Sequence, residues 1–567
     1  MSARSSVTTA LQAALVIAMG SGSILSSAES QAAPPAPISV ERLAAVTEKL
    51  ASDEFEGRAP GTPGEAKTLA YLVEQFKQAG LAPAGPDGSY LQAVPLVRTQ
   101  VPDDASMSVT VGGERVRLAQ QKEMAALALR PVDRVRIENA PLVFVGYGVS
   151  APERGWDDYK GVDLHGKVAV FLINDPDFEA ADTDDAHGRF GGKAATYYAR
   201  WTYKYEEAAR RGAVAALIVH ETEPAAYGWA TAIAPNGEGY DIVRADPARD
   251  KLLLQSWLHR DAAVQLLRRC GLDLEALKVR ARSRAFAPVT LREASFSADF
   301  PLVHTRITSY NVIGKIAGRS HAAESIMIGA HWDAYGIGPA DAQGQRLRPG
   351  ALDDAIGIAG AIEIARAFDA GAPPDRTLVF AAWTAEERGL LGSEYYAAQP
   401  WLPLETTVAN LTMDVLQPNG LARDVVLVGA GQNELDALLA AKAAEQDRVV
   451  TPDARPERGL AFRADHFPFA RRGVPALLLM GIGGGHDLVE GGRVAGDRWV
   501  SDFTARCYHQ ACDRWSDGWD LRGAAQDVTL VYEMARSLAN SRAWPEWNPS
   551  SEFKAVRDSS AGRRATR

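Results

Sequence analysis

Five apolar runs of strand length constrain this chain more than any other feature in it. They are SIMIGAH (325–331), TLVFAAW (377–383), VANLTMD (408–414), DVVLVGA (424–430) and PALLLMG (475–481). Each has the length of a buried strand. Residues 355–368 and 434–445 carry helical spacing between them. Alternation of this kind predicts an α/β fold, with a mixed, mainly parallel sheet flanked by helices. In open α/β sheets ligands gather beyond the carboxyl ends of the strands. The first run ends at His331, with Asp333 next but one. The second leads through Thr384 and Ala385 to Glu386 and Glu387, and the third ends at Asp414. Asp353, with Asp354 beside it, stands just before a helix, and Tyr508 and His509 lie farther on.

The rest of the chain sets the frame. At 567 residues it is too long for one ordinary core, which predicts two or three domains. A net charge of −10, from 61 Lys and Arg against 71 Asp and Glu, argues against nucleic acid as a partner. Arg4, the apolar run 10–19 and the small residues through Ser30 read as a secretory signal, cleaved after Ala28 or Ala32. No other run approaches the length of a membrane span, so a periplasmic or secreted protein with no membrane contact after cleavage is expected. Residues 39–85 read as two helices around a polar loop that carries Glu56, Gly57, Arg58, Gly61 and Gly64. Residues 140–286 read as a compact module of short strands and one or two helices, without a cluster of metal-type residues. Its aromatics, Tyr197, Tyr198, Trp201, Tyr203 and Tyr205, suit packing better than a substrate-facing wall. Of three cysteines, Cys507 and Cys512 are close and Cys270 is distant. In an exported chain the close pair suits a disulfide, the alternative being two reduced, buried thiols. The bridge is favoured because the pair flanks His509.

The residues at the strand ends make a coherent two-metal set. His331 and His509 offer nitrogen donors suited to zinc. Asp353 is placed to bridge two ions, Glu387 to complete one site and Asp414 the other. Two Zn²⁺ contribute +4 and three carboxylates −3, so a bridging hydroxide brings the cluster to neutrality. Bound metal lowers the pKa of that water and makes it a nucleophile near neutral pH. Glu386 is then free as general base, passing the proton to a leaving amine. Asp333 is expected to fix the tautomer of His331, and Tyr508 to donate to the oxyanion of a tetrahedral intermediate. Taken singly these features are common. An Asp before a helix is more often an N-cap than a ligand.

The set resembles the co-catalytic di-zinc exopeptidases, the superfamily of bacterial leucyl-type aminopeptidases, glutamate carboxypeptidase II and the transferrin receptor. The stretches that carry the resemblance are GAHWDAYG (329–336), PGALDDAIGIAG (349–360), TAEERGLLGSEYY (384–396), NLTMD (410–414), ADHFPFARRGVPAL (464–477) and YHQACD (508–513). The opening EFEGRAPGTPGEAKTLAYLVEQFKQAGL (54–81) is similar as well. The resemblance implies two Zn²⁺ per chain, held by His331, Asp353, Glu387, Asp414 and His509, with Asp353 as the bridge and Glu386 as the base. Tyr508 matches a position that stabilises the transition state in some members. It also implies an inserted protease-associated domain. The expected division is a signal at 1–32, a first part of the peptidase domain at 38–139, the insert at 140–286, the main peptidase part at 300–545 and a basic tail at 546–567. Asp354 departs from the Asn that many members carry. Asp465 and His466 match a family motif but are read as supporting or substrate-side groups, not ligands.

The leading expectation is an exported aminopeptidase acting on peptides with a free N-terminus. A carboxypeptidase or dipeptidase on the same scaffold would need an Arg cluster to clamp a carboxylate, for which Arg463, Arg471 and Arg472 are candidates. A metal-free binding protein of the same fold is the rival from another class, opposed by the intact ligand set. A serine hydrolase is excluded by the lack of a GxSxG elbow between a strand and a helix.

Overall fold

The computed structural model describes residues 38–565. The expected signal at 1–32 therefore lies outside the described residues. Among the described residues no helix is long and apolar enough to cross a membrane.

A ten-stranded sheet forms the backbone of the larger unit. Nine of its strands are β1 (Leu91–Gln100), β2 (Glu238–Ile242), β3 (Val303–Ile316), β4 (His321–His331), β5 (Arg376–Trp383), β6 (Thr407–Asp414), β7 (Asp424–Val428), β8 (Val449–Pro452) and β9 (Ala476–Met480). They lie in the order β2-β1-β3-β5-β4-β6-β9-β7-β8. The pairs β5–β4, β4–β6, β6–β9 and β7–β8 are parallel, while β2–β1, β1–β3, β3–β5 and β9–β7 are antiparallel. The sheet is thus mixed, with a parallel pair at one edge and four consecutive parallel strands at its centre. Those strands are buried on both faces, which is why they read as unbroken apolar runs with no alternation.

Helices cover that centre. α1 (Val40–Leu50) is capped by Ser39, whose hydroxyl accepts from the Arg42 N–H. α2 (Pro63–Gln78) follows the polar loop and packs on β3. α3 (Trp201–Arg210) belongs to the second unit. α4 (Ile356–Asp369) is buried on almost every side, because it sits between the sheet, α1 and α6 (Arg522–Ala539). Each Ile or Leu sealed in this layer stabilises the fold by roughly 1.5–3 kcal/mol. The one carboxylate α4 buries near its middle, Glu363, is matched by Arg42 of α1 at 2.8 Å. By contrast α5 (Gly492–Arg506) buries only Gly496 and Phe503 and hangs at the rim.

A second sheet of eight strands has its own core. Its strands run from Ser106–Val111 to Val289–Pro301. It therefore begins well before residue 140 and ends beyond 286, wider than the sequence reading placed it. The early strands Glu114–Arg117 and Met124–Leu127 are four residues each, too short and irregular to signal a change of unit. The aromatics near residue 200 do pack. Tyr198 and Tyr203 meet edge-to-face at 5.1 Å. Tyr197 reaches across to Phe467 at 5.4 Å, and the Arg471–Glu206 pair at 3.1 Å closes the same seam. β2 comes from this second unit yet pairs antiparallel with β1, Tyr240 opposite Arg98.

Candidate metal centre

Parallel β4 and β6 end side by side, and the turn after neighbouring β5 faces the same edge. His331 closes β4 and Asp414 closes β6. Asp353 sits in the turn Ala351–Ala355 that leads into α4, and its peptide bond to Asp354 is cis. His509 arrives from the far side on a loop closed by the Cys507–Cys512 disulfide. Cys270 is free.

These elements bring five of the expected residues together. His331 Nε2 is 3.1 Å from Asp353 Oδ1 and 3.9 Å from Asp414 Oδ1. His509 Nε2 is 3.2 Å from Asp353 Oδ2 and 3.3 Å from Glu387 Oε2. The donor atoms fall into two groups, His331–Asp353–Asp414 and Asp353–Glu387–His509, each with its atoms within 4.8 Å of one another. Asp353 is common to both. Glu386 Oε2 lies 3.9 Å from His331 Nε2 but belongs to neither group.

The electrostatics call for a cation. Burial, and then neighbouring carboxylates, push Glu386 and Glu387 well above the usual carboxylate range and Asp414 up to about 8. Asp353 goes the other way, because hydrogen bonds from His331 and His509 outweigh its burial. Asp414 Oδ1 is buried without a hydrogen-bond partner, and the His509 ring nitrogen at 3.2 Å is what faces Asp353 Oδ2. Unpaired buried carboxylate oxygens are expensive unless a metal or donor takes them. Two imidazoles with carboxylates form a nitrogen and oxygen donor set that suits zinc. The residues present therefore fit a divalent cation in each group.

The supporting groups differ in part from expectation. The His331 Nδ1 atom meets the main-chain carbonyl of Asp333 at 3.1 Å, while the Asp333 carboxylate stands 3.8 Å away. That carboxylate instead accepts the N–H groups of Glu386 (3.0 Å) and Glu387 (3.4 Å). A single HxD triplet suggested the first pairing; only the chain path after β5 reveals the second. Asp354 accepts from the N–H groups of His331, Gly357 and Val415, tying three elements at once. Tyr508 lies against His509, ring centres 3.7 Å apart and planes tilted by 32°, and burial keeps its phenol well above the usual range and so protonated.

Asp465 and His466 are not in either donor group. Asp465 accepts from the Ser393 hydroxyl. His466 Nε2 lies 2.9 Å from the Ala461 carbonyl, so Nε2 carries the proton and Nδ1 is left buried without a partner. Burial lowers its pKa to about 4. A folded pKa below the unfolded value of about 6.5 gives stability that is complete above pH 6.5 and lost as the pH falls through 4. The loss should approach roughly 3 kcal/mol. His466→Gln, which keeps a donor for Ala461, should flatten the fall in denaturant midpoint between pH 6.5 and 4 relative to wild type. An unchanged profile would remove His466 as its source.

Two residues that matter to this site escaped the sequence. Asp513 stood within a recognised stretch without a role; its carboxylate holds the N–H groups of Leu352 (2.9 Å) and Asp353 (3.1 Å). Arg200, from the second unit, stands with Arg463 at the edge of the site. Its Nε is buried without a partner, and neither side chain makes a hydrogen bond or ion pair among the described residues. Arg471 and Arg472, by contrast, are taken by Glu206 and Glu394.

Residues 311–533 match Peptidase family M28. A probable zinc metalloprotease of Pyrenophora teres f. teres is 40% identical over 86 residues, 15% of this chain and 18% of that protein. A glutamate carboxypeptidase 2 homolog of Caenorhabditis elegans is 30% identical over 189 residues, 31% of this chain and 22% of that protein. The chain thus spans less than a quarter of the length of either relative. Among solved structures, an aminopeptidase from Aneurinibacillus sp. strain AM-1 aligns with a TM-score of 0.49 at 20% identity, over 89% of this chain and 95% of that one.

Proposed function

We propose, from the match of residues 311–533 to Peptidase family M28, that this chain is an exported zinc-dependent exopeptidase, an aminopeptidase acting on peptides with a free N-terminus. The observation that carries the reading is the pair of donor groups sharing Asp353, with Glu386 beside them and outside both. Two zinc ions, when bound, supply Lewis acidity and lower the pKa of water at the site.

The chain's own residues do the rest. Glu386 takes a proton from the attacking water and returns it to the leaving amine. No hydrogen bond from a described residue ties up its carboxylate, so it is free to swing between the two tasks. Asp333 fixes the turn that carries Glu386 and Glu387 through their two N–H groups. The Tyr508 phenol donates a hydrogen bond to the oxyanion. The surplus of carboxylates favours a substrate ammonium over a carboxylate at the inner end of the cleft.

A second reading, a dipeptidase or carboxypeptidase, is favoured by one observation: among the described residues Arg200 and Arg463, beside the site, make no side-chain hydrogen bond or ion pair. Such groups suit a substrate carboxylate.

Metal content and cleavage of aminoacyl-p-nitroanilides, N-blocked peptides and C-terminally amidated dipeptides, with and without chelator, separate the readings. About two zinc per chain, and chelator-sensitive cleavage wherever the N-terminus is free, is the expected result. Cleavage that demands a free C-terminus would transfer the assignment to the second reading. No metal and no turnover after zinc is restored would leave a binding protein.

A further inference from the structure

The polar loop between α1 and α2 has no part in the chemistry so far, yet it delivers one side chain to the base of the site. Arg58 is completely buried. Its guanidinium donates to four main-chain carbonyls: Leu50 at 2.8 Å, Trp332 at 2.6 Å, Pro349 at 2.6 Å and Gly350 at 2.8 Å. No carboxylate lies within ion-pair distance among the described residues, although Asp513, Asp333, Asp354 and Asp353 all face it electrostatically.

The choice of carbonyls is informative. Trp332 is the residue between His331 and Asp333. Pro349 and Gly350 lead directly into the turn that holds Asp353. One planar fork therefore joins the end of β4 to the turn before α4. From the opposite side Asp513 fixes the N–H groups of Leu352 and Asp353. The loop is shaped for this insertion. At Gly57, φ +70°, a Cβ would come within 2.5 Å of the Arg348 carbonyl oxygen and 2.8 Å of Gly336 Cα. Only glycine lets the backbone press against that segment.

We propose that Arg58 is a positioning residue for the metal centre, holding His331 and Asp353 at the separation that lets them share a cation and offsetting the carboxylates gathered there. This rests on the two-metal reading above. A buried guanidinium that only filled space would be a costly way to tie four carbonyls. Lysine cannot replace it, since an ammonium has three donors and no planar fork.

The test compares wild type with Arg58→Lys, and with Gly57→Ala, which pushes the loop off without removing the charge. Zinc affinity is read by competition with a chromogenic chelator, alongside kcat, KM and the melting temperature of the chelated protein. At least one variant should fold, with a chelated melting temperature within a few degrees of wild type. It should bind zinc at least tenfold more weakly, and at saturating zinc kcat should fall while KM changes less than twofold. Variants that bind zinc as tightly as wild type and lose only thermal stability would overturn the proposal while leaving the two-metal reading intact. A wild-type chain that binds no zinc would overturn both. Zinc loss in the variants of a wild type that binds zinc but cleaves no peptide would support the positioning role and sink only the peptidase reading.

Discussion

Glu386→Gln lowers kcat by roughly 10³-fold or more while zinc content stays near that of wild type. The amide keeps the shape of the side chain and loses both the proton acceptor and its charge. General base catalysis is worth about 10²–10⁴-fold. Glu386 belongs to neither donor group, so its removal leaves both sets intact. Substrate affinity should change little, because the loss falls on the transition state and not on ground-state binding. Single-turnover rates on an aminoacyl-p-nitroanilide, with metal analysis of the same sample, check this. A variant that turns over near the wild-type rate would remove Glu386 from the base role. One that loses zinc would make it a ligand.

Asp353→Ala should remove both metals and abolish activity. Its two carboxylate oxygens face different groups, Oδ1 toward His331 and Oδ2 toward His509. Replacing any other ligand removes one donor from one group; replacing this one removes a donor from each. The remaining pairs, His331 with Asp414 and Glu387 with His509, leave each cation with two protein ligands. Zinc sites that persist normally have three or four. Affinity should drop by several orders of magnitude at both positions, measured by metal analysis after dialysis against a weak chelator. Two ions retained through that dialysis would sink the bridge.

Much of this was legible before the fold, for physical reasons. The central strands are buried on both faces and so announce themselves as apolar runs, and three of the five candidate donors lie at or just past the end of one. His331, Glu387 and Asp414 are therefore read directly from strand boundaries. The sequence favoured a Cys507–Cys512 bridge over two reduced thiols without deciding it, and the fold closes it. What stayed hidden was whatever depends on chain path. Arg58, in a loop of charged and glycine residues, looks solvated until α1 and the turn at 349–350 close over it. The carboxylate of Asp333 was assigned to the neighbour two residues away, when a turn fifty residues later claims it. Arg200 could not be linked to Arg463 because nothing local places the second unit over the first. The second sheet also reaches from Ser106 to Pro301, beyond the expected 140–286 at both ends.

The pairing of β2 with β1 bears on how separable the two units are. A module that merely rested on its host could be cut out at its linkers and leave a finished surface behind. Here excision would strip the outermost strand from the host sheet. β1, from Leu91 to Gln100, would then present its N–H and C=O groups to water along the register now occupied by residues 238–242. A bare edge of that kind is a template for pairing with other chains. Anyone trimming this protein to a minimal catalytic body would thus create a self-associating one, unless the 238–242 segment were kept or the new edge were charged.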